Sequence, residues 1–123
     1  MADLGTVTVT EEVISAVKKV KFAWTSDGDG KATKTTSKTY TGEIIRLVTI
    51  PGAGGDAPTD NYNVVVNDED TTDVLMGAGA TRDTLNTEQV LASSLGCVAN
   101  DALSLSITGA GAANTGTVIV YIR

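Results

Sequence analysis

Alternation with a period of two runs through most of this chain, and it leaves little choice of secondary structure. Thr6-Val7-Thr8-Val9-Thr10 sets valine on one side of an extended strand and threonine on the other. Val20, Phe22 and Trp24 do the same against Lys19, Lys21 and Ala23. Leu103, Leu105 and Ile107 alternate with Ser104, Ser106 and Thr108, and Val118, Val120 and Ile122 alternate with Ile119, Tyr121 and Arg123. Two denser apolar runs, residues 43–50 and 62–67, are rich in β-branched side chains and read as further strands. Asp73-Val74-Leu75-Met76 reads as a short one.

The connections carry turn chemistry. Ser26-Asp27-Gly28-Asp29-Gly30 is a turn by composition, and residues 26–38 read as a hairpin turn followed by a solvent-facing edge strand, or as a loop that orders on a partner. The lysines there guard an edge against wrong pairing. Residues 11–17 fit both periods, and strand is preferred because the alternation continues into Val20–Trp24. Asn86 is placed to cap a helical turn over residues 87–92. The last two strands, joined by a Gly/Ala-rich stretch at 109–116, are expected to pair as a hairpin. No βαβ alternation appears. The expectation is an all-β fold: an antiparallel β-sandwich or jelly-roll-like domain of about eight short strands with at most one short helix. Residues 1–123 form one domain, with residues 1–10 an N-terminal arm or edge strand. The long connections at 51–61 and 77–101 favour crossover between two sheets.

Composition narrows the functional classes. Aromatics make up 4% of the 123 residues, so the core is built from Val, Ile, Leu and Ala. The net charge of −6 argues against a nucleic-acid partner, which needs a dense positive patch. Seven of the nine basic residues lie between Lys18 and Arg46, whereas from residue 47 onward Arg82 and Arg123 face nine acids. A domain polarised in this way can stack head to tail or dock on a complementary surface. The start of the chain lacks the basic and apolar regions of a signal peptide, and no stretch has the length of a membrane span, so synthesis in a cytoplasm and no membrane partner are expected.

Tests for chemistry return little. The chain has no histidine, which removes the commonest general base and metal ligand. The single cysteine, Cys97, permits no internal disulfide and reads as a small core residue. Ser15 near Lys18 is the closest approach to a Ser-Lys pair, on what alternation makes a surface. Asp27-Gly28-Asp29-Gly30 has the opening spacing of a calcium loop without its later ligands, and Asp68, Glu69, Asp70 and Asp73 crowd another turn; both read as Asp-rich turns. The Gly-rich stretches lack the Lys-Ser/Thr of a phosphate loop. No catalytic residue, metal or cofactor is assigned, and an enzyme is not expected.

Three segments carry a resemblance: residues 41–64, residues 77–84 (Gly77-Ala78-Gly79-Ala80-Thr81-Arg82-Asp83-Thr84) and the ending from Asn114 to Arg123. Together they resemble small structural proteins encoded among the head genes of tailed bacteriophages, and the closest class is the capsid cement, or decoration, proteins. That resemblance implies a β-sandwich or jelly-roll domain that binds the major capsid protein on the outer capsid surface as a dimer or trimer and stabilises the shell. It supplies no family site residues. Interfaces favour aromatic and Arg anchors, which makes Trp24, Arg46, Tyr62 and Arg82 the candidate contact residues. Alternatives are a tail, fibre-associated or head–tail joining virion protein, or a host-glycan-binding module using exposed aromatic rings.

Overall fold

The computed structural model describes residues 4–59 and 61–123. Residues 1–3, part of the expected N-terminal arm, lie outside the described residues. The described chain forms seven strands: β1 (Thr6–Ile14), β2 (Val17–Thr25), β3 (Ala32–Pro51), β4 (Asn63–Asn67), β5 (Glu88–Leu91), β6 (Cys97–Thr108) and β7 (Thr115–Ile122). Every pairing is antiparallel, in the order β1-β2-β7-β3-β6-β4, with β5 also on β3. The all-β antiparallel expectation holds.

β3 organises the molecule. Its first part, from Ala32 to Glu43, pairs with β6, and its second part, from Ile44 to Pro51, pairs with β7. One strand is thus shared by a sheet of β1, β2, β7, β3 and β5 and a smaller sheet of β3, β6 and β4. The change of partner needs a bend, and three register shifts supply it, at Thr35/Thr39, Tyr40/Gly42 and Ile44/Arg46. At the first, the buried Thr36 hydroxyl accepts the Leu103 N–H at 3.0 Å and donates to Lys38 O at 2.8 Å, standing in for missing ladder bonds. At the second, Gly42 has a φ of +142°, and a Cβ there would lie 2.7 Å from the Arg123 carbonyl oxygen. Only glycine suits that position.

The inward side chains of both sheets meet in one core. Val20, Phe22 and Trp24 from β2, Val118, Val120 and Ile122 from β7, and Ile44 and Leu47 from β3 face Leu103, Leu105 and Ile107 from β6 and Val64 and Val66 from β4. Trp24 and Tyr62 stack at 5.3 Å with their planes tilted by 56°. Ser26 and Asn114 tie the end of β2 to the start of β7: Ser26 N donates to Asn114 O at 2.8 Å, and Asn114 N donates to Ser26 Oγ at 2.9 Å.

Several expectations are corrected. Residues 11–17 are strand, as preferred, but broken by a turn at Ser15 and Ala16, where Ser15 takes a φ of 56° and Ile14 pairs with Val17. β2 and β3 do not form a hairpin, because β7 occupies the edge of β2 that β3 would need; the first part of β3 is nonetheless an edge. The helical turn expected over residues 87–92 is replaced by strand at Glu88–Leu91: β5 pairs with β3 from Arg46 to Thr49, and Val90 packs on the core. What helical geometry there is among the described residues is two single 3-10 turns, Gly54–Asp56 and Ala92–Ser94. Residues 73–76 are a turn set by Asp73, whose carboxylate accepts the N–H groups of Leu75 and Gly77. The terminal hairpin does not exist, because β6 and β7 lie on opposite sides of β3. The strands are not all short, since β3 has 20 residues and β6 has 12.

Candidate interface

Alternation assigns each strand one face to the core and leaves the other outward. Across the larger sheet, register builds the outward side chains into rows. One row runs Glu12, Lys19, Tyr121, Arg46, Leu91; the next runs Thr10, Lys21, Ile119, Val48, Gln89; a third runs Thr8, Ala23, Thr117, Ile50. In the first row the Arg46 guanidinium lies 5.1 Å from the Tyr121 ring centroid and the Lys19 ammonium 6.0 Å from it. Arg46 Nε also donates to Gln89 Oε1 at 3.0 Å, which orients the guanidinium over the ring. Cations held over an aromatic face at this range are attracted by its quadrupole. Ile119 and Val48 are buried beneath this layer, while Leu91 is 66% exposed.

Toward the Thr6 end the same face sinks into a shallow depression of about 360 Å³, lined by Thr6, Thr8, Thr25, Thr115 and Thr117 with Ile50 and Pro51 at its side. Its floor is Gly116, where Trp24 packs from below. The face therefore carries cations and an aromatic at one end and hydroxyls at the other.

Of the four expected contact residues, only Arg46 lies on this face. Trp24 and Tyr62 are buried in the core at 1% and 0% exposure, so neither is a surface anchor, nor an exposed ring for a glycan to stack on. They are large apolar bodies in phase with inward-facing strand positions, and the sheets close over them. Arg82 is drawn toward Tyr62: its N–H donates to Tyr62 O at 2.7 Å, its Nε donates to Ala80 O at 3.2 Å, and its guanidinium lies 3.7 Å from Glu88 Oε1. With 15% of its side chain exposed, Arg82 holds the loop before β5 against β4. Tyr121 and Lys19 were not among the four expected contact residues. Their signal was the phase of the alternation, since each is out of step with the buried residues beside it.

The remaining candidates resolve locally. Cys97 is exposed, because β6 turns its neighbour Val98 inward. Lys18 Nζ donates to Thr41 O at 3.3 Å, so its ammonium is engaged with β3. Asp27 Oδ1 accepts the N–H groups of Lys31 and Asp29, which hold its carboxyl below the ordinary carboxylate range. Asp68 Oδ1 accepts the N–H groups of Asp70 at 2.9 Å and Thr72 at 3.0 Å. Asp83 is lowered by the Leu85 N–H and by both the side chain and N–H of Asn86. In each of these turns the first aspartate thus accepts from its own backbone, while Glu69 accepts the Ala102 N–H of β6 at 2.9 Å.

No family model, curated protein or solved structure matches this chain. The outward face of the larger sheet must therefore be read from its own chemistry. A flat sheet surface with one pre-oriented cation–aromatic cluster and a rim of hydroxyls suits contact with another protein surface better than enclosure of a small molecule.

Proposed function

We propose that the chain is a non-enzymatic virion structural protein that binds the outer capsid surface as an oligomer and stabilises the shell, in the manner of a cement or decoration protein. The observation that carries the reading is the outward face bearing Lys19, Tyr121 and Arg46, where the cationic groups are oriented before any partner arrives. Pre-oriented side chains lose less freedom on binding. The segments at 41–64, 77–84 and 114–123 that resemble phage head proteins support the same reading. Repetition on a shell multiplies weak contacts, because a dimer or trimer that touches several subunits of the major capsid protein gains effective concentration.

The test is reconstitution. Heads stripped of this chain are mixed with the purified protein, bound copies are counted by gel densitometry, and the temperature of head breakage is recorded. The expected result is occupancy near the number of capsid subunits and breakage at a higher temperature than in stripped heads. Arg46→Glu combined with Tyr121→Ala should weaken binding at least tenfold, equivalent to about 1.4 kcal/mol, with the fold intact by circular dichroism. Copy numbers in the tens or fewer would instead assign the chain to the tail, a fibre or the head–tail joint.

A further inference from the structure

Three side-chain polar atoms inside the core have no hydrogen-bond partner among the described residues: Trp24 Nε1, Thr49 Oγ1 and the Tyr62 hydroxyl oxygen. All three residues are at most 1% exposed. Register brings them together. Trp24 faces Gly116 on β7, and Gly116 faces Pro51 on β3. With no side chain at Gly116, the indole lies across β7: a Cβ there would meet Cζ2, Cε2 and Nε1, the last at 3.0 Å. Thr49, two residues before Pro51, faces Val118 and is buried with it. It is therefore the diagonal neighbour of Gly116 on the core side, at a spacing of about 7–8 Å that side chains can close. Tyr62 covers the place from the other layer. Its ring centroid is 5.3 Å from that of Trp24, and its hydroxyl is near enough to Thr49 for the threonine hydroxyl to act on it.

Buried polar groups are satisfied by protein or by ordered water in the great majority of cases. We propose that Trp24, Thr49 and Tyr62 hold one internal water molecule, which accepts from the indole N–H and bridges the two hydroxyls. The inventory of donors and acceptors selects this ligand. An indole N–H can only donate, whereas each hydroxyl both donates and accepts. Pairing Thr49 directly with Tyr62 would leave the indole N–H unmet, since neither hydroxyl stands in hydrogen-bond geometry to it. A water meets all three with three bonds, the usual number for a buried water. A metal cation does not suit the place, because the indole offers it a hydrogen and none of the three groups is a carboxylate. The nearest acid by register is Glu88, opposite Thr49 on β5, and its Oε1 already accepts the Asp83 N–H at 2.8 Å and lies 3.7 Å from Arg82.

The proposal does not rest on the capsid reading, and its test needs only the purified chain. The chain is crystallised and its structure determined at a resolution that places ordered waters. The expected result is one fully occupied oxygen peak within about 2.7–3.2 Å of Trp24 Nε1 and of both hydroxyls. The peak should be lost in the double variant Thr49→Val, Tyr62→Phe. In solution, oxygen-17 relaxation dispersion of the solvent counts long-lived buried waters, and the count should fall by one molecule from the wild type to that variant. If the variant does not fold, the wild-type map decides alone. A map with no peak at this place would overturn the proposal, as would direct hydrogen bonds that satisfy all three groups among themselves. A peak that gains anomalous signal when bromide replaces chloride would overturn it too, assigning the place to a halide. Equal dispersion in the wild type and a folded variant would do the same.

Discussion

Trp24 lies against the backbone of Gly116 so closely that a Cβ there would come within 2.4 Å of the indole Cζ2. Gly116→Ala must displace a fully buried ring, and the expected loss is about 1–3 kcal/mol, typical of overpacking. Urea denaturation followed by the emission of this single tryptophan checks it. The neighbouring Tyr62 hydroxyl is buried with no hydrogen bond of acceptable geometry, as is Thr49 Oγ1, whose hydroxyl offsets a part of the burial effect on Tyr62. Burial pushes both Tyr62 and Tyr40 up to about 12, aided in Tyr40 by Glu11. Because a free tyrosine titrates near 10, the folded chain keeps these protons while the unfolded chain releases them. Their stabilising effect is complete below pH 10 and is lost as pH rises through 12. The denaturation midpoint should fall across that window, and fall less steeply in Tyr62→Phe. At this scale the alternation of Val20, Phe22 and Trp24 puts the tryptophan in phase with buried positions, and its choice as a contact residue went against that phase. Tyr62 was misjudged because it stands at the start of a strand whose neighbours are polar, and only the crossing sheet shows what covers it.

Single strands were easier to find than their partners. β1, β2, β6 and β7 are each visible as alternation, because one buried face per strand imprints a period of two on the sequence. Pairing leaves no such imprint. β6 and β7 are consecutive and joined by a glycine-rich link, yet β3 inserts between them; nothing local distinguishes that from a hairpin. The strand at 88–91 was hidden for a related reason. Its four residues are too few to show a period, and its extended form is imposed by the waiting edge of β3. The bend of β3 is the element on which the crossover depends, and Gly42 is its least replaceable residue. Gly42→Ala, at a φ of +142° with the Arg123 carbonyl 2.7 Å from the new Cβ, should cost about 2 kcal/mol or more from strain and crowding. Thermal melting of the variant measures it.

Across the whole molecule, the basic run from Lys18 to Arg46 foretold a polarised charge, but its division between two surfaces follows from the fold alone. Lys19, Lys21 and Arg46 go to the outward face, while Lys34 and Lys38 line a cleft between β1 and the first part of β3. One surface was legible from phase, the other only from the way two sheet edges come to face each other. A strand that belongs to both layers has a further consequence. Like a single thread sewn through two panels, β3 prevents either from peeling away alone, because releasing one layer frees the bend and loosens the strand on which the other is laddered. Melting should be one concerted event, with the far-ultraviolet signal of the sheets and the emission of Trp24 disappearing at the same denaturant concentration.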